Sequence, residues 1–157
     1  GGAGETGKGA GFSYMTIRRM KKKDIPEVAF IESQCFTQPW SEHGFEEAMN
    51  DAVFLIAEEN EQIAGYIGMY VMEPEGEITN VAVREECRGN GCGNLLLQAM
   101  EQWAQKHRIE RIVLEVRSGN AGAIHVYEKN GFVKLGIRKN FYQFPQEDAD
   151  IMEWKKC

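Results

Sequence analysis

The sequence has no long apolar run and few cysteines, and these absences limit what the protein can be. No stretch approaches the roughly 18 apolar residues that a membrane-spanning helix needs. No positively charged and then apolar segment opens the chain as a secretory signal does. The four cysteines lack the paired spacing of metal ligands. We therefore expect a protein of the reducing cytoplasm, without a membrane partner and without a metal.

Positive charge is also scarce. Lys and Arg number 18 against 24 Asp and Glu, which gives a net charge of -6 at pH 7. This balance disfavours direct binding to nucleic acid and suits a substrate that is itself basic. Core-forming residues are well supplied, since 43% of the 157 residues are hydrophobic. A chain of this length and composition predicts one domain with a substantial core.

The first 14 residues differ from the rest of the chain. They are rich in glycine and lack a periodic apolar pattern, so we interpret 1–14 as a flexible leader or expression-derived tail and 15–157 as the domain. Gly2 to Lys8 matches the G-x-x-x-x-G-K pattern of a phosphate-binding loop. We reject that function here, because Gly9 stands where Ser or Thr would hold magnesium and no hydrophobic strand precedes the glycines.

Hydrophobic periodicity and turn signals predict an α/β fold with a mixed sheet and helices packed on its faces. Asp24 with Pro26, Ser41 and Asn120 supply helix-start chemistry. The predicted order is strand, two helices, three strands, helix, strand, helix, two strands. Strands are expected over 15–19, 53–58, 62–72, 77–84, 111–117, 132–138 and 149–154, and helices over 24–36, 41–50, 94–107 and 120–129.

Three glycines, Gly89, Gly91 and Gly93, lie between a predicted strand and a predicted helix. Without Cβ atoms in the way, the backbone amides of such a turn can approach an anion, and the helix dipole adds favourable charge. Arg88 adds a formal positive charge, so the segment predicts a pyrophosphate site. A tight turn without a ligand remains the alternative. Nicotinamide or flavin binding is disfavoured, because R-x-x-G-x-G late in the chain differs from G-x-G-x-x-G in a first βαβ unit.

Motifs around this turn carry a resemblance to a known family. Through these motifs the chain resembles the GNAT superfamily of acyl-CoA N-acyltransferases. The resemblance covers essentially all of residues 15–157. Within that superfamily it is similar to the bacterial ribosomal-protein-alanine N-acetyltransferases (RimI type). The motifs are Pro39-Trp40-Ser41-Glu42, Asn80-Val81-Ala82-Val83, R-x-x-G-x-G at 88–93, Leu114-Glu115-Val116-Arg117, Asn120, Val126-Tyr127-Glu128 with Gly131-Phe132, and Arg138-Lys139-Asn140-Phe141-Tyr142.

The resemblance implies acetyl-CoA as co-substrate. It assigns the pantetheine and acetyl carbonyl to strand amides, the pyrophosphate to the glycine-rich turn, and the cofactor arm to Asn120. Cys92 stands where the family usually has an aliphatic residue, and it is either a small apolar filler or an oxidisable thiol of lowered pKa. The implied cofactor-binding residues are Val81, Ala82, Val83, Arg88, Gly89, Asn90, Gly91, Cys92, Gly93, Asn94 and Asn120.

Acetyl transfer to an amine needs a neutral nitrogen, a stabilised oxyanion and a protonated leaving thiol. Glu115, in the middle of a predicted strand, is the candidate general base. Tyr127 is the candidate general acid, because the ordinary pKa of a phenol, about 10, is close to that of a thiol. The alternatives are that Glu115 only pairs with Arg117, two residues on and so on the same face of the strand, and that Tyr127 only packs beside Phe132.

An N-terminal α-amino group, with a pKa of about 8 against about 10.4 for lysine, is the easier acceptor to deprotonate. The resemblance implies the N-terminal alanine of a small-subunit ribosomal protein, bound by Pro39, Trp40 and Tyr142. Phe141 replaces a tyrosine that the family often has, so one hydroxyl is missing. Two alternatives stay open: an acetyltransferase for lysine side chains or a small-molecule amine, and a non-catalytic acyl-CoA-binding module. One sequence leaves the oligomeric state open, with a monomer as the expectation.

Overall fold

The computed structural model describes the backbone of residues 3–5 and the whole of residues 14–157. Two short 3-10 turns, at Lys22–Asp24 and Glu85–Cys87, accompany the regular elements. The strands are β1 (Ala3–Glu5), β2 (Tyr14–Arg19), β3 (Ala52–Glu59), β4 (Gln62–Met72), β5 (Glu75–Val83), β6 (Arg111–Arg117), β7 (Val133–Tyr142) and β8 (Glu147–Lys155). The helices are α1 (Ile25–Cys35), α2 (Glu42–Ala48), α3 (Cys92–Lys106) and α4 (Ala121–Lys129).

All eight strands form one sheet, in the order β1-β2-β3-β4-β5-β6-β8-β7. Every neighbouring pair is antiparallel except β5 with β6, which is parallel. The predicted mixed sheet and the predicted order of elements from residue 15 onward are confirmed. Strand β7 runs to Tyr142, beyond the predicted end at residue 138, because its pairing with β8 resumes at Tyr142↔Glu147 after a register shift.

The flexible tail expected over 1–14 lies mostly outside the described residues. The part that is described departs from that expectation, since β1 pairs with the start of β2 in the register Ala3↔Thr16 to Glu5↔Tyr14. Backbone hydrogen bonding in a hairpin does not require an apolar side-chain pattern, so the glycine-rich composition gave no signal for it. None of the helices in the described ranges is long and apolar enough to span a membrane.

Local chemistry fixes where the helices begin. Ser41 Oγ accepts a hydrogen bond from the Gly44 amide at 3.0 Å, and Asn120 Oδ1 accepts one from the Ala123 amide at 3.2 Å. Pro26 occupies the first turn of α1, where a missing N–H costs nothing. The predicted starts of α1, α2 and α4 are thereby confirmed, although the Asp24 carboxylate binds Arg18 and makes no capping hydrogen bond to α1.

The sheet separates two hydrophobic cores. One is built with α1 and α2 and contains Val28, Ile31 and Phe45; the other is built with α3 and α4 and contains Leu96 and Met100. Because these side chains are almost completely buried, both faces of the central strands are rigidly packed. Side chains at the ends of those strands therefore have fixed positions.

The parallel strands β5 and β6 pair only over Glu75–Glu77 and Arg111–Val113. Immediately afterwards β5 carries a bulge: Met69 pairs with Ile78 and Gly68 with Asn80, which leaves Thr79 as an extra residue. A bulge bends its strand and increases its twist. Strand β5 thus stays with β4 and leaves β6, and an opening lies between the two strands.

Candidate active site

A cavity of about 620 Å³ fills the opening between β5 and β6. Residues 78–81 of β5 form one wall and residues 114–117 of β6 form the other, with Asn120, Ala123 and Tyr127 contributed by α4. The cavity is closed by the α1–α2 connection, residues 36–41, which we call the acceptor loop, and by the β7–β8 hairpin. Five separate segments of the chain therefore meet around one space.

Most of the predicted acid, base and peptide-binding residues line this cavity. They are Glu115, Tyr127, Trp40 and Tyr142, together with Val81 and Asn120 of the predicted cofactor set. The remaining predicted residues lie elsewhere. Pro39 is not part of the lining, the Ala82 side chain is buried in the α1–α2 core, Val83 lies beyond the cavity at the end of β5, and residues 88–94 form the glycine loop beyond that end.

Glu115 lies in the β6 wall, with about 24% of its side chain exposed, and its Oε2 is 2.9 Å from Nη1 of Arg138. The alternative that Glu115 pairs with Arg117 is wrong. Arg117 instead binds Glu147 at 3.1 Å and lies over the ring of Tyr142 at 4.5 Å. Because 59% of the Arg138 side chain is exposed, its ion pair with Glu115 is screened by solvent and weak. Another cation entering the cavity can replace it.

Tyr127 is 9% exposed and packs against Phe132, with ring centroids 5.8 Å apart. Within residues 14–157 no hydrogen-bond partner of its hydroxyl is found. Burial, with a smaller contribution from Tyr142, raises the pKa of Tyr127 above its ordinary value. The phenol therefore keeps its proton throughout the neutral pH range, but its pKa no longer lies close to that of a thiol as the ordinary value of about 10 does. Packing beside Phe132 and a role as proton donor are compatible.

Aromatic rings form the outer walls of the cavity. Phe141 and Tyr142 meet edge to face at 5.0 Å, and Trp40 packs 5.3 Å from Phe45 on the opposite side. Burial, and next the negative charge of Glu115, raise the pKa of Tyr142 to about 12. The Phe141 ring keeps an aromatic surface without supplying the hydroxyl of a tyrosine.

The glycine loop has the geometry of an anion site. Gly89 and Gly91 have φ values of +86° and +77°, which glycine adopts without strain. Gly91 is the N-cap of α3, and no side chain caps the helix there, so its first amides are left for a ligand. Arg88 Nε donates to the Val83 carbonyl oxygen at 3.2 Å, which places this guanidinium between the loop and the end of β5.

Cys92 is a small core residue. It is 2% exposed, and burial raises the pKa of its thiol to about 12. The alternative of an oxidisable thiol with a lowered pKa is wrong, because burial raises the pKa of this thiol and leaves it almost without solvent contact.

Two residues of the site were missed by the sequence reasoning. Arg138 was noted only as part of a motif, and its contact with Glu115 depends on strand neighbours that a local pattern does not reveal. Glu32, a buried carboxylate in the cavity lining, was not singled out. A signal for it existed, because Glu32 lies four residues after Val28 and seven after Ile25, on the apolar face of α1.

The site combines a strand pair that separates, an uncapped helix N-terminus beside it, and a carboxylate and a buried phenol in the opening. Residues 25–132 match the Acetyltransferase (GNAT) family, and the chain belongs to that family.

Individual relatives agree with this membership. A Bacillus subtilis protein, provisionally named a ribosomal protein bS18-alanine N-acetyltransferase, is 35% identical over 139 residues, covering 87% of this chain and 92% of the relative. The Escherichia coli K12 protein of that name is 31% identical over 140 residues, covering 87% and 95%. The crystal structure of the Escherichia coli ribosomal-protein-S18-alanine N-acetyltransferase superposes with a TM-score of 0.85 at 30% identity, covering 90% of this chain and 93% of that one. The resemblance seen in the sequence is confirmed.

Thiol labelling tests the description of Cys92. At pH 8 a thiol of pKa about 12 is ionised to on the order of 10⁻⁴, so we expect iodoacetamide to modify exposed Cys157 and to leave Cys92 unmodified. Peptide mass spectrometry after a short labelling pulse gives the result, and labelling in denaturant is the control, since there all four cysteines should react. Rapid native labelling of Cys92 would contradict its burial.

Proposed function

We propose that this protein transfers the acetyl group of acetyl-CoA to the N-terminal α-amino group of a protein, and that the acceptor is the N-terminal alanine of a small-subunit ribosomal protein. The observation that carries the proposal is that Glu115 and Tyr127 line the same cavity as the aromatic residues Trp40 and Tyr142. The names of the relatives, which specify ribosomal protein bS18 and alanine, support the choice of acceptor.

The residues around the opening fit acetyl-CoA, which supplies the acetyl group as a thioester. Strand β5 has no strand partner on its β6 side beyond Glu77, so the backbone around Val81 is left to hold an extended pantetheine arm. The uncapped amides of the glycine loop suit the pyrophosphate. Arg88 is exposed, so it is free to turn from Val83 towards a phosphate. Asn120 lines the cavity between these regions.

The proton transfers assigned to Glu115 and Tyr127 balance over the whole reaction. The acceptor's ammonium displaces Arg138 from Glu115, and Glu115 takes the proton that makes the amine a nucleophile. Tyr127, which keeps its proton at neutral pH, donates it as the C–S bond breaks, so the thiol leaves protonated. The C–N bond forms when the neutral amine attacks the thioester carbonyl carbon, and the nitrogen gives up a second proton to solvent as the C–S bond breaks. That second proton balances the one that Tyr127 gives to the thiol and regains from solvent, so the proton that Glu115 passes to solvent is the one net proton that the reaction releases.

The choice of an α-amino acceptor over lysine has a physical basis. At neutral pH a far larger fraction of α-amino groups than of lysine side chains is already neutral. Trp40 and Tyr142 both line the cavity and offer aromatic surface to the first residues of a peptide acceptor. All four cysteines are free in the structure, which supports a reducing compartment, the cytoplasm, as the place of action.

Three synthetic peptides distinguish the acceptors. The first offers a free N-terminal Ala followed by basic residues without lysine, the second is the same peptide N-blocked, and the third is N-blocked with one lysine. We expect acetyl-CoA turnover with the first peptide alone, followed as thiol release and as peptide mass. Transfer to the third peptide would replace the proposal with a lysine acetyltransferase, and no turnover on any peptide would favour an acyl-CoA-binding module.

Substitution of Glu115 and of Tyr127 tests their assigned roles as general base and general acid. We expect Glu115→Gln and Tyr127→Phe each to lower kcat with the Ala peptide by about 10² to 10³-fold, because each removes a proton-transfer group. Since the raised pKa of Tyr127 keeps it protonated, its ionisation should cause no loss of wild-type activity below pH 10. Exposed Glu128→Gln and Tyr14→Phe are the matched controls and should keep wild-type rates. An unchanged kcat in Glu115→Gln would remove its role as base.

A further inference from the structure

Glu32 is a buried carboxylate in the lining of the cavity, on α1 and 2% exposed. Its Oε2 accepts a hydrogen bond from the Trp40 amide at 3.0 Å, and its Oε1 accepts from Asn80 Nδ2 at 3.2 Å and from the Tyr66 hydroxyl. All three donors are neutral groups. Within residues 14–157 no Lys, Arg or His forms an ion pair with Glu32.

The other charges of the cavity are compensated. Glu115 is paired with Arg138, and Arg117 with Glu147. Glu32 is therefore the one carboxylate in the described lining that has hydrogen bonds but no counter-ion. Hydrogen bonds from several donors stabilise such a charge, but burial without an opposite charge still costs free energy. A cation bound in the cavity would offset part of that cost.

The hydrogen bonds of Glu32 also join two parts of the site. Trp40 belongs to the acceptor loop, whereas Asn80 belongs to β5 at the bulge, where Thr79 Oγ1 donates to its Oδ1 at 2.5 Å. A carboxylate has about four acceptor positions, and the three donors leave about one of them unused. Glu32 thus fixes the distance between the acceptor entrance and the strand that faces the cofactor. A neutral residue of the same shape would keep much of this connection but not the charge.

We propose that Glu32 is a positioning residue for the acceptor: it anchors the acceptor loop to β5, and its uncompensated negative charge draws the ammonium of the acceptor into the cavity. This inference rests on the proposed function and specifies what makes the cavity prefer a peptide with a free N-terminus over one whose N-terminus is blocked. Because a fixed negative charge stabilises the ammonium before its deprotonation, Glu32 assists binding and not the chemical step. The expected signature is therefore an effect on KM rather than on kcat.

Steady-state kinetics with the free-Ala peptide tests whether Glu32 affects KM and not kcat. For Glu32→Gln we expect the peptide KM to rise at least tenfold, with kcat within threefold of wild type and the KM for acetyl-CoA unchanged. Tyr66→Phe removes one hydrogen bond but keeps the carboxylate, so its peptide KM should stay within threefold. Glu153→Gln is the matched control, because it neutralises a buried carboxylate that pairs with Arg111 outside the cavity, and its peptide KM should equal that of wild type. Thermal unfolding of each variant shows whether it is folded at the assay temperature.

The outcomes separate this inference from the proposed function. If the wild type acetylates the Ala peptide but Glu32→Gln keeps its peptide KM, or loses kcat instead, the role of Glu32 is wrong and the function stands. If the wild type acetylates no peptide, the proposed function is wrong, and direct binding decides the role of Glu32. Calorimetry should then show wild-type preference for the free over the N-blocked peptide by at least tenfold, and loss of that preference in Glu32→Gln. Equal binding of both peptides, or an unchanged preference in Glu32→Gln, would overturn the inference.

Discussion

The structure depends on the early separation of β5 from β6. The two strands are paired over three residues on each side, and the bulge at Thr79 then turns β5 away. Had the pairing continued, the β6-facing edge of β5 would be filled by hydrogen bonds to a strand, and Glu115 would lie beside Thr79 or Val81 rather than in the wall of a cavity. The same bend brings Asn80 to Glu32 and so connects the opening with α1.

Glu115, Glu32 and Tyr127 line one cavity, but each is surrounded by different charges, hydrogen-bond donors and degrees of burial. Glu115 has an exposed and exchangeable cation beside it, Glu32 is buried in the cavity lining and held by neutral donors, and Tyr127 is kept protonated by burial. Environments of this kind allow chemically similar groups to take separate roles at one pH. In the mechanism that we propose, Glu115 accepts a proton, Glu32 positions the acceptor, and Tyr127 donates a proton. The aromatic side chains of Trp40 and Tyr142 line the same cavity, where we propose that the acceptor binds.

Local signals in the sequence were sufficient for the order of elements and for the helix starts at Ser41 and Asn120. They were also sufficient for the glycine loop, because caps and turns depend on a few adjacent residues. The contact of Glu115 with Arg138 was not predictable in this way, since it depends on the order β6-β8-β7 and on two strand registers. Glu32 could have been found from the apolar face of α1, but its partners Tyr66 and Asn80 come from distant strands. Strand β1 gave no sequence signal, because its pairing with β2 is made by backbone groups and residues 3–5 carry no apolar pattern.

The central claim is that the thioester and an N-terminal amine meet in a single cavity and react directly. Binding of two covalent conjugates tests it: CoA joined through an acetyl bridge to the α-nitrogen of an Ala peptide, and CoA joined in the same way to a lysine side chain. We predict that the α-linked conjugate binds at least 100-fold more tightly than CoA alone, because one molecule then fills both halves of the site. The lysine-linked conjugate should gain far less. An α-linked conjugate that binds no better than CoA would contradict the account.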